Sequence, residues 1–357
     1  MNIANIKRNF ESAINLIKDN SINFGTKLKI IEKKIRKKKT NPYCNYAPSS
    51  IAIEVTSACN FNCAFCLRKE LHIQPKKLDK NKIKKLIAST KGKKVKNIYL
   101  FGVGEPLLYP IDDLVEVINF AAKYIPCVSF VTNGSLLRGE IAEKLANSRL
   151  SDLRFSVDSP NPKIYKKIRN FDLEIIKKNI KQFTSISKIP VRIQAVLTEE
   201  TEKDFTQMPE FCIEVGAKKL YVNKLHETKN YKGLIRDVKE IERIERILKE
   251  KCKKYNIELG LNLLDFTLYK KNDICMEPFY KMYINCEGYI TPCSVMPHVK
   301  LRKGNNIMKL WNCKEMIDFR KRIILGNYPE WCMEKCNINK KKLICSKKPK
   351  HKQKNNQ

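Results

Sequence analysis

Nowhere does this chain run to the ~18–20 uninterrupted apolar residues of a membrane span. A signal peptide is missing as well. Ile3, Ile6, Phe10, Ile14 and Ile17 recur at helical spacing with polar residues between them, so Met1 to Asn20 reads as an amphipathic helix. Both absences point to a cytoplasmic chain, where cysteines serve metal sites in preference to disulfides. Internal repeats of solenoid type are lacking, which excludes a stacked-repeat architecture. Acidic residues are few, 37 against 71 Lys and Arg, and the formal net charge is +34. Arginine is scarce too, at 14 of those 71. The lysines are spread through almost every segment. With abundant Ile and Asn and only 12 Gly, the balance reads as genome-wide compositional drift over a solvated surface. A sharper reading, an anionic partner such as RNA or a lipid surface, draws on the run Lys33 to Lys39 and on the Lys-rich tail after Cys345.

What is present suffices for a large domain with an appendage. Over 357 residues, 43% apolar residues can bury a sizeable core, and 30% charged residues mark a soluble protein. Residues 1–48 form a basic helical lead-in. Short β-branched or apolar runs follow at Ile51–Thr56, Asn97–Gly102, Val128–Thr132, Leu153–Val157, Arg192–Leu197 and Lys219–Val222. Helix-like segments lie between them at Asn81–Ser89, Ile111–Tyr124, Gly139–Asn147, Asp172–Phe183 and Glu202–Val215. Six strands alternating with helices predict parallel β/α units with right-handed crossovers. A closed eight-fold barrel needs two further units. Instead, a charged helix (Asp237–Tyr255) and one more strand-like run (Glu258–Leu263) lead into a Cys-rich region. The expected fold class is α/β: an open, partial (β/α)6 barrel over 49–264, a small Cys-rich α+β extension over 265–345, and a disordered basic tail over 346–357.

The first strand leads into Ser57-Ala58-Cys59-Asn60-Phe61-Asn62-Cys63-Ala64-Phe65-Cys66. Clusters of the 4Fe–4S type usually take four thiolates, yet here three cysteines stand within eight residues, as C-x3-C-x2-C, with no fourth nearby. Three ligands leave one iron open to chelation by the amino and carboxylate groups of a methionine. The loop sits at the C-terminal mouth of the predicted barrel, where such folds place chemistry. A zinc knuckle fits poorly, since zinc favours C-x2-C pairs and a closed tetrahedral set. The spacing, with Phe65 just before the third cysteine, resembles the signature of the radical S-adenosylmethionine (SAM) superfamily. The resemblance implies that Cys59, Cys63 and Cys66 hold a 4Fe–4S cluster that binds and reductively cleaves SAM, and that Phe65 lies by the adenine.

Later strand ends agree. Phe101-Gly102-Val103-Gly104-Glu105-Pro106 resembles the family's Gly-Gly-Glu-Pro loop, which holds the methionine amino group through backbone and carboxylate contacts. Val103 stands where the first glycine of the pair is expected, leaving Gly104, Glu105 and Pro106 as matches. Thr132-Asn133-Gly134 and Ser156-Val157-Asp158 resemble motifs near the ribose and carboxylate of the cofactor, which implicates Asn133, Ser156 and Asp158. The stretch from Asp158 to Arg169 continues in the family's manner. Helix capping and turn chemistry suit these residue types equally well. Gln194 and His226 are further candidates to face the mouth.

The C-terminal region holds Cys275, Cys286, Cys293, Cys313, Cys332, Cys336 and Cys345. Cys275 and Cys293 bracket Gly288 as C-x12-G-x4-C, and Phe279–Asn285 and Tyr289–Pro292 read as two strands joined by a Glu287-Gly288 turn. This resembles the opening of the SPASM/Twitch extension, a module that binds auxiliary 4Fe–4S clusters. Gly304-Asn305, Leu310-Trp311-Asn312 and a helix to Leu325 fit the same module. The resemblance implies one auxiliary cluster held by Cys275, Cys293, Cys332 and Cys336. Two departures are evident: the closing pair is C-x3-C where C-x2-C is usual, and the longer SPASM cysteine pattern is absent. Alternatives are Cys345 as last ligand, Cys345 in a second cluster with Cys286 or Cys313, and a zinc site at the same four cysteines. Cys44, Cys127, Cys212 and Cys252, with Cys286 and Cys313, read as buried or surface thiols.

For function, the resemblance implies a 5′-deoxyadenosyl radical that takes hydrogen from a substrate, in an oxidation or transferase-like modification. It also implies a reductant such as flavodoxin or ferredoxin. The auxiliary cluster would accept an electron from the substrate radical or conduct electrons inward. Fold does not choose the substrate. No peptide-leader domain is evident before Ile51, which favours a small molecule, glycan or lipid, or a peptide delivered by another protein. RNA modification is the competing enzyme class, and a metal-stabilised nucleic-acid-binding protein the competing non-enzyme.

Overall fold

The computed structural model describes residues 41–263 and 275–335. The expected N-terminal helix, the Lys33 to Lys39 run, Cys336, Cys345 and the basic tail lie outside the described residues. Ten strands form one sheet: β1 (Ser50–Ile53), β2 (Asn97–Tyr99), β3 (Cys127–Thr132), β4 (Asp152–Ser156), β5 (Val191–Leu197), β6 (Lys219–Lys224), β7 (Glu258–Asn262), β8 (Lys281–Ile284), β9 (Tyr289–Thr291) and β10 (Arg302–Lys303). Their spatial order is β10-β9-β8-β1-β2-β3-β4-β5-β6-β7.

From β1 to β7 every neighbouring pair is parallel, with helices in the crossovers, so the expected partial α/β barrel is present. The barrel is larger by one strand than expected. Glu258–Asn262 is no mere lead to the extension but pairs with β6, from Lys219↔Glu258 to Asn223↔Asn262. The C-terminal region also continues the sheet on its other side. β8 runs parallel to β1, from Ser50↔Lys281 to Ile53↔Ile284, and then turns back as β9 in the expected hairpin. Gly288 makes that turn at φ 82°, a backbone region that side chains disfavour.

The helices largely follow their apolar periodicity. Leu173–Ile186 starts at Asp172, whose carboxylate accepts from Glu174 N at 2.8 Å, and buries Ile176, Ile180 and Phe183 along one stripe. The single helix expected over Glu202–Val215 is two, Glu202–Phe205 and Met208–Glu214, because Pro209 fits only the first turn of a new helix. Pro162–Arg169 is an unforeseen helix, capped by Asn161, whose side chain accepts from Lys163 N at 3.0 Å. Along β5 the burial alternates. Val191, Ile193, Ala195 and Leu197 are buried in the core under the helices, whereas Arg192, Gln194 and Val196 stand half-buried on the concave face.

The C-terminal helices are fastened by Arg320, which is fully buried. Its Nε donates to Pro278 O at 2.7 Å and its Nη1 to Pro42 O at 3.2 Å, with the guanidinium 4.1 Å from the Trp311 ring centroid. Asn312 accepts from Cys44 N (2.9 Å) and donates to Cys44 O (2.8 Å). Among the described residues, no helix is long and apolar enough to cross a membrane.

Candidate active site

The three-cysteine loop leaves β1 and is held at its base by the segment that returns alongside it. Ser57 N and Thr56 Oγ1 both donate to Lys76 O at 2.9 Å, and Ser57 Oγ donates to Gln74 O at 2.7 Å. Its tip is held by Ala64 N donating to Ile168 O at 2.8 Å. Within the loop, Asn60 exchanges amide hydrogen bonds with the end of β3. Asn133 Nδ2 donates to Asn60 Oδ1, and Asn60 Nδ2 donates to Ser135 Oγ, each at 2.9 Å. Asn133 Oδ1 accepts in turn from Ser135 N and Oγ.

The segment after β2 presses against this loop. A Cβ at Gly104 would run into the Thr56 and Ala58 carbonyl oxygens, so only glycine fits, and Glu105 N donates to Ala58 O at 2.7 Å. At Val103, where the resemblance expects glycine, it is the backbone that matters. Val103 N donates to Glu54 Oε1 at 2.8 Å, while Glu54 Oε2 accepts from Cys286 N at 3.0 Å. One buried carboxylate thus joins the β2 loop to the C-terminal hairpin. The Glu105 carboxylate is buried and braces the end of β3: Oε1 accepts from Thr132 Oγ1 (2.7 Å) and Leu107 N (3.1 Å), Oε2 from Asn133 N (2.7 Å). Burial pushes its carboxyl up to about 7, against three donors that favour the ionised form.

Asp158 and Arg169 supply the charge beside the thiols. Asp158, wholly buried, accepts from Arg169 Nε at 2.5 Å and from Val196 N at 2.9 Å. Arg169 Nη1 lies 3.7 Å from Cys63 Sγ, and its guanidinium lies 5.3 Å from the Phe65 ring centroid. Tyr231, in the segment after β6, packs edge-on against Phe65 at 5.7 Å. Ser156 and Gln194 face each other as register partners on the concave face, and His226 lies beyond β6, half-buried.

The donor set fits an iron–sulfur cluster. Cys63 is buried and Cys59 and Cys66 half-buried, so all three thiols sit at the edge of the core. Desolvation pushes Cys59 up to about 11 and raises Cys63, and a bound cation reverses that preference by taking the thiolates. In the C-terminal region Cys332 is buried and Cys275 packs against the same core, its N donating to the Tyr328 hydroxyl at 3.3 Å. Cys293 stands just past β9, where its carbonyl accepts from Met296 N. Cys286 and Cys44 are buried, as are Cys212 and Cys252, while Cys127 and Cys313 are half-buried. Among the described residues, no three His, Cys, Asp or Glu side chains close to the distances of a single bound ion.

The sequence profile of the radical SAM superfamily matches residues 53–212, and that of SPASM, an iron–sulfur cluster-binding domain, matches residues 275–337. Residues 53–212 thus carry a radical SAM domain, and a SPASM domain follows it. The radical SAM domain implies a 4Fe–4S cluster and SAM, with a need for a reductant and a substrate, and the SPASM domain implies an auxiliary iron–sulfur cluster. The protein is 29% identical over 282 residues to "Probable GTP 3',8-cyclase" of Methanocaldococcus jannaschii, covering 72% of the chain and 91% of the relative. A Thermococcus kodakarensis protein of the same name is 22% identical over 308 residues, covering 79% and 96%. Among solved structures, Streptococcus suis SuiB bound to S-adenosylmethionine superposes with a TM-score of 0.64 at 20% identity, covering 93% of this chain and 82% of that one. Native anSMEcpe with bound AdoMet gives 0.60 at 18% identity, covering 81% and 88%. These structural likenesses speak for the fold.

Sequence reasoning did not single out Arg169, Glu54, Asn60 or Tyr231. For Arg169 a signal existed: Asn161-Pro162 announces a helix start, and that helix carries Arg169 back to Asp158. Nothing local announces Tyr231 or Glu54, whose partners lie far along the chain.

Proposed function

We propose that Cys59, Cys63 and Cys66 hold the SAM-cleaving cluster, that Cys275, Cys293, Cys332 and Cys336 hold one auxiliary cluster, and that the substrate is a small molecule seated in the concave face of the barrel. Held by these residues, the reduced cluster and SAM would supply the radical chemistry for taking hydrogen from substrate. The protein's part is placement and exclusion of water. Phe65, held between Arg169 and Tyr231, flanks the adenine. The Gly104–Pro106 backbone receives the methionine end, with Glu105 fixing the ends of β2 and β3 relative to each other. Ser156 lines the ribose and carboxylate side, while the buried Asn133 and Asp158 hold Asn60 and Arg169 in place behind the site. Arg169 places a cation beside Cys63 and so favours its thiolate.

The observation that carries this reading is the loop itself: its polar groups are tied to protein while three thiols remain for iron. A nucleotide is the first substrate to test, supported by the 91% coverage of the relative named for GTP. The C-terminal SPASM match favours a different oxidation, assisted by the auxiliary cluster, as the second reading. Anaerobic reconstitution should give about eight irons per chain, as two four-iron clusters. Reduction with SAM, using dithionite or a flavodoxin or ferredoxin, should yield 5′-deoxyadenosine. GTP that speeds this reaction and is consumed selects the nucleotide reading; GTP without effect rejects it. A fully loaded protein that forms no 5′-deoxyadenosine sinks both.

A further inference from the structure

One side-chain layer below Ser156 and Gln194, the concave face carries cations that the site above does not use. Arg154 lies two residues before Ser156 on β4, Arg192 lies two before Gln194 on β5, and the two arginines are register partners. Alternate residues on a strand are ~6–7 Å apart, so this layer is within a small molecule's length of the SAM site. Lys281 arrives from the opposite wall. Its strand, β8, is separated from β4 by β1, β2 and β3. Yet Lys281 Nζ and the Arg154 guanidinium stand 5.4 and 5.0 Å from the centroid of one ring, Tyr99. Lys281, Tyr99 and Arg154 therefore project from one face of the sheet, and strand alternation makes it the face that carries Ser156 and Gln194.

Their charge is under-compensated. Asp152 Oδ2 accepts from Arg154 Nε at 2.8 Å, and Arg192 Nε is 3.7 Å away, too far for a hydrogen bond. Arg192 Nε is buried with no hydrogen-bond partner, and Asp152 Oδ1 has no donor either. Among the described residues, no carboxylate reaches ion-pair distance of Lys281. Glu277 acts on it from further off, with its oxygens engaged by the hydroxyls of Tyr280 (2.6 Å) and Tyr283 (2.7 Å). Burial holds the Lys281 ammonium below its ordinary range. A half-buried cation short of counter-charge is costly, and an anionic ligand would lower that cost.

We propose that Arg154, Arg192 and Lys281 form an oxyanion-binding floor, so that the substrate carries a phosphate or carboxylate group directed away from the cysteine loop. This rests on the reading of the concave face as the substrate site. Cys293 also acts on Lys281. Arg154 and Arg192 gather round Asp152 and Cys127.

The test titrates anaerobic holoenzyme with SAM, at low salt, with inorganic pyrophosphate and separately with succinate, followed by calorimetry. One saturable site per chain is expected, with Kd below about 1 mM for one probe, and the preferred probe names the anion. Arg192→Gln and Lys281→Met should each weaken it by about tenfold or more, and Arg192→Lys by no more than about threefold. Iron content and circular dichroism verify that each variant is folded and loaded. No saturable site in the wild-type protein overturns the inference. So does binding that the substitutions leave unchanged, including the case where Lys281→Met alters only the auxiliary cluster's spectrum. Formation of 5′-deoxyadenosine by the same wild-type sample separates the two readings. Its presence without anion binding sinks the floor alone, and its absence sinks the functional reading beneath it.

Discussion

The two cysteine regions are built by different means. The first loop is woven into its surroundings by polar contacts between neighbouring strand ends: Asn60 with Asn133 and Ser135, Glu105 with Thr132 and Asn133, Asp158 with Arg169. The C-terminal region instead hangs on a few long-range fasteners, Arg320 to Pro42 and Pro278, Asn312 to Cys44, and β8 along β1. Many short tethers fix one loop to fractions of an ångström, which a reacting centre requires. Few long ones fix a module as a body.

Breaking the first region should cost the most. Cys63→Ala should lower 5′-deoxyadenosine formation by about 10³-fold or more. Cys293→Ala should lose about four irons per chain yet keep that reaction within about tenfold, measured without substrate. Equal losses in both variants would erase the distinction. Next, Arg320→Leu removes a buried guanidinium on which two backbone carbonyls and Trp311 depend. It should lower unfolding free energy by about 3–5 kcal/mol in a denaturant titration, with iron lost from the auxiliary site first.

Glu105 sharpens the contrast through pH. Its folded-state value, about 7, lies above the ordinary 4.5 because burial disfavours the charge. The proton is therefore held more tightly folded than unfolded. Stability from this group is full below the ordinary value and falls by about 3 kcal/mol as pH rises through 7. Glu105→Gln should flatten that slope between pH 5 and about 7; an unchanged slope would place the titration elsewhere. The smallest effect belongs to Asn60→Ala, about 1 kcal/mol in stability, with a rise of a few-fold in KM for SAM and little change in kcat.

Much of this was legible in the chain. The three cysteines, the Gly104–Pro106 turn and the alternation of strand and helix each lie within a short window and are dictated by local chemistry or period. The auxiliary hairpin was legible for the same reason, since Glu287-Gly288 marks its turn. What escaped has partners far away. Pairing of Cys44 with Asn312 spans 268 residues, and no local pattern states that β8 will lie beside β1. The seventh strand was visible as Glu258–Leu263, but its partner could not be inferred from periodicity alone. The cationic layer escaped because Arg154 and Arg192 look like ordinary exposed alternates on a strand until the sheet's curvature turns them inward.

The pairing of β8 with β1 also governs how the sheet ends. With the hairpin in place the margin on that side is β10, two residues long and carrying Arg302 and Lys303, both exposed. A margin so short and so charged offers a stray strand almost nothing to zip onto. Cut the chain after β7, and the new margin would be β1 itself, apolar and with its amides bare. Such a fragment should self-associate through that edge, which makes the hairpin a guard on the barrel's open side as well as a part of the cluster-binding domain.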